Sequence, residues 1–424
     1  MLSEKKIDSY IAILEEELIP ATGCTEPIAI ALAAARLREV LGARPERIRA
    51  ELSGNIIKNA KSAVVPNTGG MRGVEAAIAA GVTAGDAQRL LQVISDVPES
   101  AYAGMRAYAQ SADIQLARLD TPRQLDILLT GFAGGDRASV RIANNHTSIV
   151  FEEKNGETLK ALDAGFSSES SLTDKSCLNI EDIVAFADSV ELERVSGPIE
   201  RQMRCNSAIA REGIEHEWGA GVGRTVLEQG EENIDLRCRA FAAAGSDARM
   251  SGCELPVVIV SGSGNQGITA SVPVICYAAH MAAGDEKLIR ALLVSNLVTI
   301  HQKTGIGRLS AYCGAVSAGC GAACGIAYLH GADAKLISRT VVNCVAMLSG
   351  MVCDGAKPSC AAKIACAVEA GLLAWKMSCK NRGFIDGDGI LNGGVEGSIA
   401  NVGRLAHEGM QETDRVILSI MTGN

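Results

Sequence analysis

Apolar residues recur at helical spacing through residues 4 to 19, and Pro20 stops the pattern, so the chain should open with an amphipathic helix. "PIAIALAAARLREVLG" carries the same periodicity, with Pro27 in the first turn, where its missing N–H costs nothing, and Thr25 as the expected N-cap. "RIRAELSGNI" reads as a strand, and "IKNAKSAVVPNTGGMRG" as a turn-rich loop opening a helix over "VEAAIAAGVTAG". Alternating apolar positions in "LDILLTGFAG" and "RASVRIANNHTSIVFEEKNGETL" predict further strands, with a hairpin turn at Asn155-Gly156. From about residue 180 the pattern is helical almost to the end.

The strands therefore fall between roughly residues 46 and 165, flanked by helices on both sides. The fold class this predicts is α+β: a large, mostly α-helical domain with an inserted smaller α+β domain carrying an antiparallel sheet. The expected divisions are 1–44 for a helical segment of the main domain, 45–175 for the insert and 176–424 for the helical remainder. "GFSSESSLTDKS", Gly165 to Ser176, is the candidate linker, and no repeat of fixed period is visible.

Composition sharpens this picture. Hydrophobic residues make up 47% of 424, enough for a large core, while aromatics are only 3% and glycines number 45, which predicts helices packed closely through small side chains. The net charge of −9 with no long basic run excludes a nucleic-acid partner. Two uncharged or nearly uncharged stretches, Leu255 to Gly284 and Leu309 to Ala332, are interrupted by Gly, Ser and other polar residues; they read as buried helices approaching a site, not membrane spans. The charged, amphipathic N-terminus "MLSEKKIDSYIAILEEELIP" resembles no export signal, so a cytoplasmic location is expected. In that compartment fourteen cysteines imply burial or metal binding, not a disulfide framework.

Most of the cysteines read as small core hydrophobes or incidental: Cys177, Cys205, Cys238, Cys253, Cys276, Cys344, Cys366 and Cys379 have no partner at metal-ligand spacing. Cys320 and Cys324 share a helix face, which suits ligands or core residues equally. Cys313, Cys353 and Cys24 differ, because each sits where a loop meets a helix start and free amides can lower a thiol's pKa. No zinc-finger spacing is present, and three loop thiolates from distant segments could hold an iron–sulfur cubane with one open, Lewis-acidic iron. A second constellation comprises the polar, Gly-rich loops "SGNIIKN" with Asn59, "PNTGGM" with Asn67, Thr68 and Gly69, "NNHT" with His146, and "SGSGNQG" with Ser261, Ser263, Asn265 and Gln266. Such loops offer amides to a small carboxylate or phosphate, although ordinary turns use the same residues. In "HQKTGIGRLSAYCG", Lys303 and His301 precede Cys313 and are candidates for acid–base work.

Taken jointly, "GCTEP", "NTG", "SGSGNQG", "IGRLSAYCG" and "CDGAKPSC" resemble the L-cysteine desulfidase family, relatives of the α chain of iron–sulfur L-serine dehydratases. The resemblance implies a [4Fe–4S] enzyme, free of pyridoxal phosphate, that splits L-cysteine into pyruvate, ammonia and sulfide. It implies Cys24, Cys313 and Cys353 as cluster ligands, with Cys360 beside the cluster; in the dehydratase relatives the second cysteine of the "CD…C" motif is itself a ligand, at a longer spacing, which would put Cys360 in place of Cys24. Thr25 and Glu26 of "GCTEP" join the loop residues as substrate-binding candidates, with a small amino acid as the partner and a homodimer as the expected assembly. Competing readings are a dehydratase acting on L-serine or a related β-substituted amino acid, and a non-catalytic iron–sulfur sensor.

Overall fold

The computed structural model describes residues 2–162 and 173–423. The candidate linker thus lies outside the described residues except for its last four positions. The opening helix spans Glu4–Glu17, and Pro20 begins a short strand, β1 (Pro20–Thr22). Cys24, not the expected Thr25, caps the helix Thr25–Leu41, and Gly42 ends it in the left-handed conformation, where a missing Cβ removes the strain. Strand β2 (Arg47–Leu52) is shorter than the sequence suggests, because Gly54–Ala60 turns into a helix. The helices Gly73–Ala84 and Tyr102–Ser111 then lead to β3 (Asp113–Arg118), β4 (Asp126–Ala133), β5 (Asp136–Ala143), β6 (Ile149–Lys154) and β7 (Glu157–Ala161).

These strands form one sheet in the order β3-β2-β4-β5-β6-β7. Every pairing is antiparallel except β2 with β3, which run parallel because helices carry the chain across between them. Asn155 and Gly156 both take positive φ at the β6–β7 turn, as a two-residue hairpin of matching twist requires. From Ile180 the chain is helical apart from β8 (Pro256–Val258), which pairs antiparallel with β1. The α+β class therefore holds, with helices dominating.

The cores divide differently from the expected boundaries. The opening helix packs with the C-terminal helical half, whereas Ile28 to Leu41 pack with the sheet and helix Gly73–Ala84. That second core also takes in Ile209, Ala210, Val257 and Ile268 from the helical half. The sheet is thus sealed by helices from both sides of residue 45, and the chain passes from one core to the other at β1.

Small residues let these helices approach closely. A Cβ at Gly81 would meet the backbone of Ala31, and one at Gly213 would meet the carbonyl of Ala244. Among the described residues no helix is long and apolar enough to cross a membrane; the two uncharged stretches contain the helices Gly264–His280 and Gly314–Leu329, the first preceded by β8. We predict that Gly213→Ala lowers stability by about 1–3 kcal/mol through overpacking, read as a lower thermal midpoint. Gly104→Ala, on an open helix face with nothing within 4 Å of the new methyl, should leave the midpoint unchanged or raise it slightly.

Candidate functional site

Four cysteines from three separate stretches of the chain line one cavity of about 100 Å³: Cys24, Cys313, Cys353 and Cys360. Three of them stand at helix starts. Cys24 caps Thr25–Leu41, Cys313 caps Gly314–Leu329, and Cys360 opens Cys360–Cys379. Each such position points a side chain toward unpaired N–H groups and the positive end of a helix dipole, which favours a thiolate. Cys353 lies on the loop between helices and is fixed by backbone pairing. Its N–H donates to Ala311 O at 2.6 Å, the Cys313 N–H donates to Met351 O at 3.0 Å, and Tyr312 bridges Val352.

The loop after Cys353 is shaped by its charges and by one glycine. Asp354 pairs with Lys357 and Lys363, and although burial pushes its carboxyl up, the two lysines outweigh this and hold it at about 2. Gly355 takes φ +94 and lies against the Lys58 carbonyl, where any side chain would collide. Lys363 also donates to Val352 O at 2.8 Å.

Burial pushes the Cys24 thiol up to about 12, only partly offset by Arg249. Burial and the neighbouring Cys353 push Cys313 up to about 12 as well, and burial raises Cys360. These thiols are neutral near pH 7 unless a cation draws their protons off. Among the described residues no three His, Cys, Asp or Glu side chains close on a single metal ion, so a tetrahedral zinc is not what this ring of soft donors fits. A cubane interposes its own iron and sulfide between the thiolates and suits donors spread around a cavity.

Lys303 reaches the same cavity from helix Asp285–Ile306 and is only 4% exposed. Burial lowers its ammonium to about 8, against an opposing pull from Cys353 and Cys313. His301, two residues earlier, is not on the cavity wall: positions i and i+2 of a helix do not share a face, and its Nε2 lies 2.6 Å from Glu396 Oε2 on a peripheral helix. Of the two expected residues the structure brings Lys303, and not His301, to the cavity wall.

The polar loops divide in the same way. Ser263, Asn265 and Gln266 line the cavity at the start of helix Gly264–His280, as do Thr25, Glu26 and Asn59. Gln266 Oε1 is buried with no hydrogen-bond partner among the described residues, a state that leaves an acceptor open to a ligand. Thr25 Oγ1 donates to Gly262 O at 3.0 Å, and Asn59 Nδ2 donates to Glu26 Oε1 at 3.4 Å. Burial raises the Glu26 carboxyl, but His146 and Arg249 outweigh it and the net shift is downward. His146 stands behind Glu26, 3.7 Å from its Oε1, and does not line the cavity. Ser261 is buried at the turn before Gly262, with φ +48, and it too stays off the wall.

Asn67, Thr68 and Gly69 are removed from the cavity altogether. The Asn67 amide donates to Ile94 O and Ser95 O, and the Thr68 hydroxyl donates to Val65 O, so the loop satisfies its own polar groups. Its influence passes through Pro66, whose ring packs where a Cβ on Gly23 would lie. A carboxylate site in "NTG" is therefore corrected to a structural turn that supports the Cys24 loop.

Two arginines on the wall carry no role in the sequence reading. Arg249 is 3% exposed and donates to Gly23 O at 2.7 Å and Asn265 Oδ1 at 3.1 Å, and its Nε has no partner among the described residues. Arg308 Nη2 is 2.8 Å from Glu17 Oε1. The one local sign of Arg249 is a charge interrupting the small-residue run "AFAAAGSDARM".

We predict that Lys303→Met stabilises the metal-free protein below pH 8 by about 3 kcal/mol. The folded-state pKa of about 8 lies below that of an unfolded lysine, so the unfolded chain binds more protons between these values. Wild-type stability should rise with pH across about 8 to 10.5, and the gap to Lys303→Met should close there. Thermal midpoints measured across that range check it; a constant gap would refute the buried charge.

Comparison with known proteins follows the same lines. Residues 73–419 match the family model described as serine dehydratase alpha chain. A UPF0597 protein of Desulfitobacterium hafniense is 53% identical over 99% of this chain and 97% of its own. One from Treponema denticola is 45% identical over 99% of both chains, and one from Bacteroides fragilis 38% identical over 99% of both.

Proposed function

The chain belongs to the serine dehydratase alpha chain family, and from that premise we propose a cytoplasmic, [4Fe–4S]-dependent and pyridoxal-phosphate-independent lyase that eliminates the β-substituent of a small α-amino acid, with L-cysteine as substrate and sulfide, pyruvate and ammonia as products. The observation that carries this reading is one buried cavity walled by four thiols, a buried lysine and two arginines. A non-catalytic sensor would have no use for that lysine beside those cations. The family's own name keeps L-serine as the second substrate reading.

Cys313 and Cys353, clamped by their shared backbone pairing, would hold the cluster, and the third thiolate comes from Cys24 or Cys360, both on the wall. When bound, the cluster supplies a Lewis-acidic iron to the heteroatom leaving the β-carbon. Arg308 and Arg249, with the amides at the start of helix Gly264–His280, hold the substrate carboxylate. Glu26, kept ionised by its neighbours, accepts the α-ammonium together with the open Gln266 oxygen. Lys303 in its neutral form takes the α-proton at Nζ, since burial already weakens its hold on its own proton. Elimination then yields the enamine, which hydrolyses to pyruvate and ammonia after leaving the site.

The test is anaerobic reconstitution with iron and sulfide, followed by parallel assays of sulfide and pyruvate from L-cysteine and of pyruvate from L-serine. Sulfide and pyruvate in equal amounts from L-cysteine support the reading; turnover of L-serine alone would replace desulfidation with dehydration, and no turnover of either would reject the lyase. Lys303→Met should retain iron and lose exchange of the substrate's α-deuterium by about 100-fold or more. Iron content of Cys24→Ser and Cys360→Ser identifies the third ligand.

A further inference from the structure

Arg308 enters the lyase cavity from the chain just beyond helix Asp285–Ile306. Gly307 stands between, with φ +88, and donates its N–H to the Lys303 carbonyl at 2.9 Å, so one helix end sets both the lysine and the backbone of the arginine. The guanidinium itself sits on a long, flexible side chain, and holding it in one direction takes partners. Two neighbours supply them. Nη2 donates to Glu17 Oε1 at 2.8 Å, and Nη1 lies beside the turn at Gly262, where a Cβ would come within 3.3 Å of it.

Glu17 occupies a position that is unfavourable for a carboxylate. It is buried and ends the opening helix, where the helix dipole disfavours negative charge. Arg308 and Lys175 offset that cost on one oxygen, with Lys175 Nζ 3.0 Å from Oε1, while Oε2 has no hydrogen-bond partner among the described residues. A buried charge cluster of this kind is often no more stable than apolar side chains of the same volume. The opening helix also has apolar anchors of its own in Tyr10, Ile13, Leu14 and Leu18, all buried in the helical core. The ion pair is therefore not what seats the helix; it fixes the direction of Arg308.

We propose that Glu17 is a positioning residue of the lyase site, holding Arg308 with its remaining N–H groups turned to the cavity, where they receive the carboxylate of an α-amino acid. Glu17 itself is off the cavity wall and touches no substrate. A guanidinium carries five N–H donors in a fixed plane, so a carboxylate that engages Nη2 from behind sets where the others point. A substrate that meets a group already held in place does not bear the cost of ordering it. The opening helix thereby becomes part of the site although none of its residues lines the cavity. This inference rests on the reading of Arg308 as a carboxylate-binding group, and it is independent of which β-substituent leaves.

The test separates reach from charge. Glu17→Gln keeps the length of the side chain and an oxygen for Nη2 but removes the charge, whereas Glu17→Asp keeps the charge and is one methylene too short to hold Arg308 where it stands. Full-length protein, reconstituted under argon with iron and sulfide, is titrated calorimetrically with L-alanine, which has no β-substituent to lose, and with L-alaninamide, which lacks the carboxylate. Wild type should bind L-alanine tighter than the amide by about tenfold or more. Glu17→Asp should cut that ratio by about fivefold or more, and Glu17→Gln should keep it within about twofold. Loss of overall stability alone lowers neither affinity selectively, so the ratio reports on Arg308. A ratio kept in Glu17→Asp, or lost in Glu17→Gln, would overturn the positioning role while leaving the carboxylate site intact. A wild type that binds both compounds equally would overturn the role together with the carboxylate reading of Arg308.

Discussion

The candidate site depends on two backbone hydrogen bonds that tie the Cys313 loop to the Cys353 loop. The helix after the Cys313 loop packs on both helices that the Cys353 loop joins, and within that packing the pairing sets the two thiols on one wall. The bonds run in both directions, Cys353 N–H to Ala311 and Cys313 N–H to Met351, so they fix register as well as proximity. Asp354 and its two lysines then set how the chain leaves Cys353, and Gly355 allows it to pass against Lys58. Cys360 returns to the cavity at the next helix start because the intervening loop is short and constrained.

A second constraint is electrostatic. Burying thiols, a lysine and a glutamate in about 100 Å³ is unfavourable for whichever of them is charged alone. Helix starts at Cys24, Cys313 and Cys360 offset part of this for thiolates, and Arg249 and His146 do so for Glu26. Burial, helped by Arg308, shifts Lys303 toward its neutral form against the pull of Cys353, Cys313 and Glu17. The wall therefore keeps Glu26 ionised and weakens the hold of Lys303 on its proton, while burial keeps its thiols protonated near pH 7.

Close backbone packing supplies the rigidity behind this. Gly264 and Gly314 each sit where a methyl would strike a cavity residue, Arg249 in the first case and Gln266 in the second. Small residues at helix crossings thus serve the core at Gly81 and Gly213 and the site at Gly264 and Gly314, which is why so few aromatics are needed to fill a chain of this size.

The sequence by itself determined where helices begin, and therefore that Cys24 and Cys313 would stand beside free amides, since proline, glycine and periodicity act over a few residues. It also determined the sheet's span and the Asn155-Gly156 turn, for the same local reason. Tertiary structure alone decided that "NTG" satisfies itself and only buttresses Gly23, that His301 turns toward Glu396 while Lys303 turns inward, and that Arg249 and Lys363 join the wall. Those outcomes depend on which helix lies opposite and which carbonyls lie within reach, quantities set by contacts between segments tens to hundreds of positions apart, and no short stretch of chain encodes them.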